Sequence, residues 1–191
     1  MATLESEMKE QFKQYVINLY QDVPTEVYEG LLSVSCLGTV GLLILFGWKR
    51  GWRWVSGLLL AEYVILIYCS TVICRKVSEG AVGHNFSPFW SYEAIKNGKE
   101  NLIAENIMNA IVFIPVGIIL GLLLRVKGSW LIALLLGLGV SVSIEAMQYF
   151  LKLGFSEVDD VMHNSLGCLI GFTFVSIING IWSLYKRYLI S

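Results

Sequence analysis

The sequence predicts an all-α fold: a polytopic membrane helix bundle of about five transmembrane helices, preceded by an N-terminal amphipathic helix. Of the 191 residues, 55% are hydrophobic and only 15% are charged, whereas soluble domains carry about 25% charged residues. Five apolar stretches are each long enough to cross a bilayer, which takes about 20 residues. Only three prolines and eighteen glycines are present, which argues against disorder. We therefore expect an integral membrane protein.

The first 28 residues form the predicted amphipathic helix. Its apolar residues recur at helical spacing between charged positions, so that one face is suited to the membrane surface or to the bundle. These residues are Leu4, Met8, Phe12, Tyr15, Val16 and Leu19. Because the chain starts with acidic residues and no basic stretch precedes a short apolar core, we expect no cleavable signal peptide.

Residues 29–191 form the predicted transmembrane domain. Its spans are predicted at 29–48, 54–74, 102–124, 129–151 and 163–184. Basic residues concentrate between spans one and two, between spans three and four, and at the C-terminus, and such residues favour the cytoplasmic side. They are Lys49, Arg50, Arg53, Arg125, Lys127, Lys186 and Arg187. We therefore expect a multi-pass protein with its N-terminus outside and its C-terminus in the cytoplasm.

Charge and cysteine content exclude several classes of function. The net charge of −1 comes without a basic block, which excludes a nucleic-acid partner. The cysteines lie in apolar runs without metal-ligand spacing; they are Cys36, Cys69, Cys74 and Cys168. Asp160 and His163, with Asp159 or Glu145, could supply metal ligands, but their spacing matches no known metal motif. We expect no metal and no cofactor, and no serine or cysteine has a nucleophile-elbow context.

Polar groups from four segments are predicted to gather near the outer leaflet. They are Arg75 at the end of span two, Asn106 and Asn109 in span three, Glu145 in span four, and Asp160 at the start of span five. Ionisable groups inside a membrane cost about 3 kcal/mol and usually have partners. Two interpretations stay open. The groups form a polar binding or catalytic pocket, or they form a packing network in which the aspartate at 159 or 160 caps the last helix.

Glu62 lies near the middle of span two. A carboxylate there either marks a pathway through the bundle or is a neutral acid bonded to a backbone carbonyl or a hydroxyl.

The connection 75–101 is rich in aromatic residues, which is typical of membrane interfaces. They are Phe86, Phe89, Trp90 and Tyr92, placed around Pro88. This loop either re-enters the outer leaflet and closes over the polar groups, or it anchors the protein at the interface.

Two glycine pairs indicate close helix packing. Gly117 and Gly121 follow Pro115 in span three, and Gly167 and Gly171 lie at the same spacing in span five. Small residues four apart let neighbouring helices approach closely, so we assign these five residues a structural role.

From about residue 68 to residue 172, the chain resembles the VanZ-like family of bacterial membrane proteins. The matching motifs are Arg75 at a helix end; "NFSPF" with Asn85, Pro88 and Phe89; "NIMNAIVFIPVG" with Asn106, Asn109, Phe113, Pro115 and Gly117; "SIEAMQYF" with Glu145 and Gln148; and "DDVMHNSLGCLIG" with Asp159, Asp160, Asn164, Gly167 and Gly171. The family usually has an arginine after the glycine that precedes the aspartates, whereas this chain has Phe155 after Gly154.

The resemblance implies a bacterial cell-membrane protein, and the founding member of the family is associated with low-level resistance to teicoplanin, a lipid-tailed glycopeptide. The expected ligand-binding residues are Arg75, Asn85, Asn106, Asn109, Glu145, Gln148, Asp159, Asp160 and Asn164. Three hypotheses follow. The protein binds or remodels a lipid-linked cell-wall precursor or the lipoglycopeptide, or it is an intramembrane enzyme, or it is a structural bundle. The catalytic candidates are Glu145, Asp160 and Asp159. The sequence does not set the oligomeric state.

Overall fold

The protein is described by a computed structural model over residues 2–76, 82–124 and 129–190, with the side chains of 2–5, 7, 8 and 190 left out. Its helices are α1 (Ala2–Tyr20), α2 (Thr25–Tyr68), which continues into a π-helical turn (Cys69–Ile73), α3 (Trp90–Lys96), α4 (Asn101–Leu123), α5 (Ser129–Leu151) and α6 (Val158–Ile190). Two short strands, β1 (Gly83–Asn85) and β2 (Phe155–Glu157), complete the fold. The predicted all-α class is confirmed.

Four helical segments among the described residues are long and apolar enough to cross a membrane: Thr25–Ile73, α4, α5 and α6. The spans predicted at 102–124 and 129–151 agree with α4 and α5 to within a residue. The span predicted from 163 begins earlier, at Val158, so that Asp159 and Asp160 lie in the first turn of α6. Carboxylates are favourable there because the free N–H groups of a helix start carry partial positive charge.

The segment Thr25–Tyr68 is a helical hairpin rather than one long rod. Gly47 has φ 69° and ψ 166°, outside the helical region. Residues on either side of it meet: the Ser35 hydroxyl donates a hydrogen bond to the Glu62 carboxylate, and a Cβ at Gly38 would lie 2.7 Å from Leu58 Cδ2. The two arms, 25–46 and 48–68, are therefore antiparallel and occupy the places of the first two predicted spans.

The predicted connection between those two spans needs correction. Lys49, Arg50 and Arg53 are helical residues at the start of the second arm, not loop residues. The chain reverses at Gly47. The combination of positive φ and extended ψ at this turn is accessible essentially to glycine alone. Two other basic residues of the orientation argument, Arg125 and Lys127, lie outside the described residues.

Helices α4 and α6 pack backbone against backbone. A Cβ at Gly117 would overlap the carbonyl oxygen of Cys168, and a Cβ at Gly167 would overlap that of Ala110. Gly121 and Gly171, the other glycines of the two predicted pairs, and Pro115 also lie on these helices, where a Cβ at Gly171 would overlap a carbonyl of α4. Because both helices start at the same end of the bundle, their first turns lie side by side.

Aliphatic and aromatic side chains from four of the helical segments form the core below the polar end. The core residues are Ile67, Val72, Phe113, Val116, Leu120, Ala133, Ile144, Cys168 and Phe172. Many of the remaining large apolar residues are exposed, including Leu37 at 76% and Ile44 at 77%, as expected for helix faces in contact with lipid tails.

Helix α1 packs on the bundle, one of the two locations predicted for it. Tyr15, Val16 and Leu19 on its apolar face are half-buried, whereas Phe12 remains 44% exposed. The side chains of Leu4 and Met8, the other two predicted positions, lie outside the described part of the chain.

The strands β1 and β2 pair in parallel, with Gly83 opposite Phe155 and Asn85 opposite Glu157. This pairing holds the connection after α2 beside the link between α5 and α6. The sequence analysis did not predict these strands. Strands of three residues are too short to show an alternating pattern, and the two paired strands lie far apart in the chain.

We predict that Gly167→Ala destabilises the bundle, because the added methyl group forces α4 and α6 apart. Overpacking of this kind typically costs about 1–3 kcal/mol. Gly57→Ala is the matched control, since a Cβ at that helical glycine meets nothing within 4 Å and alanine favours helix by up to about 1 kcal/mol. Thermal unfolding in detergent should give a lower midpoint for Gly167→Ala only; equal midpoints would contradict the close contact.

Candidate functional site

A polar cavity of about 460 Å³ opens at the end of the bundle where α4 and α6 begin. It is bounded by α1, the end of the α2 segment, the first turns of α4 and α6, and the last turns of α5. Its polar lining consists of Tyr15, Asn18, Gln21, Asp22, Ser70, Thr71, Arg75, Lys76, Glu105, Asn109, Glu145, Gln148, Asp160 and Asn164. Apolar side chains such as Ile67 and Phe113 complete it.

The cavity collects six of the nine side chains expected to bind a ligand: Arg75, Asn109, Glu145, Gln148, Asp160 and Asn164. The other three lie elsewhere. Asn85 Oδ1 accepts a hydrogen bond from Ser87 N at 3.0 Å in a local turn. Asn106 and Asp159 hold α3 in place.

Asp159 serves the start of α3 rather than the start of its own helix. Its Oδ1 accepts a hydrogen bond from Phe89 N at 2.6 Å, and its Oδ2 accepts from Ser91 N at 2.9 Å and from Ser91 Oγ at 2.6 Å. Asn106 Nδ2 donates to Ser91 Oγ at 3.1 Å. The Asp159 side chain is fully buried, so its charge is matched by the free N–H groups at the N-terminus of α3.

Arg75 lines the cavity with an exposed side chain. Its guanidinium lies against Gly154, where a Cβ would come within 2.7 Å of Nη2. Among the described residues, no carboxylate oxygen comes within 4.0 Å of it. Arg75 therefore makes a direct ion pair with neither Glu145 nor Asp160.

The carboxylates of the cavity are held by hydrogen bonds. Asp160 Oδ1 accepts from Asn109 Nδ2 at 2.6 Å, and Asn109 Oδ1 accepts from the Tyr15 hydroxyl at 2.6 Å. Glu145 Oε2 accepts from the backbone N–H of Glu157 at 2.9 Å. Burial, followed by the negative charges of Asp160 and Glu105, raises the pKa of Tyr15, so that its hydroxyl remains a donor.

Gln148 has one satisfied and one unsatisfied end. Its Nε2 donates to the carbonyl oxygen of Thr71 at 3.2 Å, whereas its buried Oε1 has no hydrogen-bond partner among the described residues. Thr71 lies in the π-helical turn, where the regular helical hydrogen-bond pattern is broken. The acceptor at Thr71 fixes the orientation of the amide, because a flipped amide would place two oxygens together.

Asn164 ties α6 to α5 by donating from Nδ2 to Ser141 Oγ at 2.8 Å. His163, the next residue towards the helix start, pairs instead with the Tyr92 hydroxyl through Nε2 at 2.9 Å. Within the described ranges, no three His, Cys, Asp or Glu side chains come together as metal ligands.

Several lining residues escaped the sequence analysis. Glu105 precedes Asn109 by one helical turn, and this spacing could have placed it on the same face. Tyr15 was predicted only as part of an apolar face. Asp22 and Lys76 form an ion pair of 3.1 Å between segments far apart in the chain, and this hydrogen bonding to Lys76 lowers the pKa of Asp22. No local pattern signals such a pair.

Glu62 and the aromatic residues of the 75–101 connection lie outside the cavity. Glu62 bonds with the Ser35 hydroxyl inside the α2 hairpin and does not line the cavity. The loop aromatics Phe86, Phe89, Trp90 and Tyr92 do not line it either. Phe155 does line the cavity.

Glu157 connects the strand pair to the aromatic segment. Its Oε2 accepts a hydrogen bond from the Trp90 indole N–H at 3.0 Å. Burial raises the pKa of Glu157 to about 7, and the negative charges of Glu105, Glu145 and Asp159 act in the same direction against this hydrogen bond.

A family model described as VanZ/LLP1 matches residues 54–179 of the chain, well over half of its length. The matched segment runs from the second arm of α2 into α6 and leaves out α1 and Asp22. No curated protein and no solved structure is similar enough to add a second comparison.

We predict that Asp159→Asn loosens α3 without unfolding the bundle. The amide supplies N–H groups where the N-terminus of α3 requires acceptors, and each lost hydrogen bond to a charged group costs about 1.5–3 kcal/mol. Hydrogen exchange of peptides covering 83–97 should accelerate. Glu93→Gln makes the same chemical change at an exposed position of α3 and should leave exchange almost unchanged. Unaltered exchange in Asp159→Asn would show that the contact does not hold the helix.

We also predict a pH effect centred on Glu157. Since the pKa of Glu157 is raised in the folded state, the folded protein binds this proton more tightly than the unfolded chain, and its stability falls as pH rises from about 4.5 through about 7. Glu157→Gln should lose less thermal stability than the parent protein between about pH 5 and about pH 8. The exposed Glu26→Gln should keep the parent's pH profile, and identical profiles for all three proteins would refute the assignment.

Proposed function

The chain belongs to the VanZ/LLP1 family, and we propose that its cavity binds the polar headgroup of a membrane-anchored amphiphile. The amphiphile is a lipid-linked component of the cell envelope or a lipid-tailed glycopeptide such as teicoplanin. One observation carries the proposal: the exposed guanidinium of Arg75 lines a polar cavity, and no described carboxylate lies within 4.0 Å of it.

The chemistry of the lining supports headgroup binding. A guanidinium recognises phosphate or carboxylate through two parallel hydrogen bonds. The amides of Asn109, Gln148 and Asn164 offer donors and acceptors for the remaining polar atoms of a ligand. The volume of about 460 Å³ falls within the range of small-molecule sites, about 300–1,000 Å³. Because the cavity lies at the end of apolar helices, an acyl tail can remain in the bilayer.

We place the cavity at the outer leaflet of a bacterial cell membrane, with the N-terminus outside and the C-terminus in the cytoplasm. Lys49, Arg50 and Arg53 follow the Gly47 turn, and Lys186 and Arg187 lie near the end of α6. Both positions are at the helix ends opposite to the cavity. The preference of basic residues for the cytoplasmic side supports this orientation.

Acid–base catalysis on the bound amphiphile is a second candidate function, favoured by Glu145 and Asp160 lining one cavity. Paired carboxylates can divide the roles of proton donor and acceptor when one is protonated and the other is ionised. In that case Glu145→Gln would bind the ligand but abolish its conversion. A binding protein would leave the ligand chemically unchanged.

The test uses Gram-positive cells that express the protein or its variants at matched membrane levels. We expect protection against teicoplanin but not vancomycin, and we expect Arg75→Gln to remove it, since losing a hydrogen bond to a charged group weakens binding about tenfold or more. Glu93→Gln, whose side chain does not line the cavity, is the control and should protect like the parent.

Full protection by Arg75→Gln would exclude Arg75 as the ligand contact. If Arg75→Gln reached the membrane in smaller amounts than the parent, a loss of protection would say nothing about binding. Membrane expression is therefore matched before susceptibility is compared. Failure of the parent protein to protect would exclude the glycopeptide and leave a lipid-linked component as the ligand.

A further inference from the structure

We propose that the headgroup bound in the cavity is zwitterionic, with a phosphate at Arg75 and a primary ammonium between Glu145, Asp160 and Gln148. This inference rests on the proposed function and names the chemical class of the ligand. The charged side chains of the lining and an unpartnered buried acceptor support it.

The charges around the cavity do not suit a purely anionic ligand. Asp22 and Lys76 neutralise each other in their ion pair of 3.1 Å. The remaining charged side chains of the lining are one guanidinium, Arg75, and three carboxylic acids, Glu105, Glu145 and Asp160. An anion bound at Arg75 would occupy the one cation of the lining that is not already in an ion pair, and the three acids would have no cationic partner. A ligand that also carries a cation supplies that partner.

The side chain of Gln148 provides the second observation. It is only 3% exposed and lines the cavity, and its buried Oε1 has no hydrogen-bond partner among the described residues. A buried acceptor without a partner destabilises the structure that contains it. The amide cannot turn to relieve this, because its Nε2 is held by the carbonyl of Thr71. A donor on a bound ligand would satisfy Oε1 once the side chains that cover this atom move aside.

The charged groups of the lining differ in exposure. Arg75 is exposed, whereas Glu145 is 7% exposed and Gln148 is 3% exposed. We assign the anionic group of the ligand to the exposed Arg75 and its ammonium to the less exposed acids and Gln148. A primary ammonium has three N–H donors, which match the carboxylates of Glu145 and Asp160 and the amide oxygen of Gln148. A trimethylammonium group carries the same charge but has no donor for Gln148.

The experiment measures binding of defined lipids to the purified full-length protein in detergent by native mass spectrometry. The probes are dioleoyl phosphatidylethanolamine, its N-monomethyl and N,N-dimethyl derivatives, dioleoyl phosphatidylcholine and dioleoyl phosphatidylglycerol. We expect affinity to fall stepwise as N–H donors are replaced by methyl groups, with phosphatidylethanolamine binding at least about tenfold more tightly than phosphatidylcholine or phosphatidylglycerol. This series needs no protein variant and is therefore insensitive to folding defects.

Two variants test where the phosphate and the ammonium of the headgroup bind. Glu145→Gln should retain phospholipid binding but lose the preference for the primary amine. Arg75→Gln should weaken binding of all five lipids. Each variant is compared only if its thermal unfolding midpoint matches that of the exposed control Glu93→Gln.

Water-soluble phosphoethanolamine has the same headgroup without acyl chains. It should displace the lipid only at much higher concentration, because it lacks the contribution of the tails. If phosphoethanolamine binds as tightly as the lipid, the ligand is zwitterionic but is not anchored in the membrane.

The outcomes separate the two proposals. Equal binding of all five lipids that depends on Arg75 would overturn the zwitterion and keep the headgroup site. A preference for phosphatidylglycerol would also overturn the zwitterion and would indicate a polyol headgroup instead. Absent phospholipid binding would overturn the zwitterion and leave the proposed function to the susceptibility test, whereas phospholipid binding that is unaffected by Arg75→Gln would overturn both.

Discussion

The direct backbone contact between α4 and α6 is the constraint on which the polar site depends. Gly117, Gly167 and Gly171 let the two helices approach until any added Cβ would overlap a carbonyl oxygen of the facing helix. In a bilayer such packing replaces the hydrophobic driving force that helices have in water. The two helices start at the same end, and their early polar residues therefore meet, as the Asn109–Asp160 hydrogen bond of 2.6 Å shows.

Two neighbouring aspartates in the first turn of α6 have separate tasks. Asp159 is fully buried and accepts hydrogen bonds from the start of α3. Asp160 lines the cavity and bonds to Asn109. One carboxylate thus holds the surrounding structure, and its neighbour is available to a ligand. This division separates the packing network and the polar pocket that the sequence left as alternatives: both are present, on different faces of one helix turn.

The cavity combines a costly set of charges with an incomplete set of partners. The buried Gln148 Oε1 has no described hydrogen-bond partner, and the exposed Arg75 pairs directly with no described carboxylate. Glu62 Oε1 and His163 Nδ1 are also buried without a described partner, but their residues do not line the cavity. What suits a ligand is that Gln148 and Arg75 line the same cavity. The same carboxylates would serve acid–base chemistry, and for that reason binding and turnover must be measured separately.

The sequence by itself determined the all-α class, the apolar spans of α4 and α5, and the end of the bundle at which polar residues collect, because hydropathy and helical period are local properties of a chain. Only the tertiary structure decided that Asp160 lines the cavity while Asp159 holds α3. Neighbouring residues of a helix point about 100° apart, and the rotation of a helix in its bundle is set by packing. The tertiary structure likewise brought Tyr15 to Asn109 and Lys76 to Asp22, since contacts between distant segments leave no periodic signal in the chain.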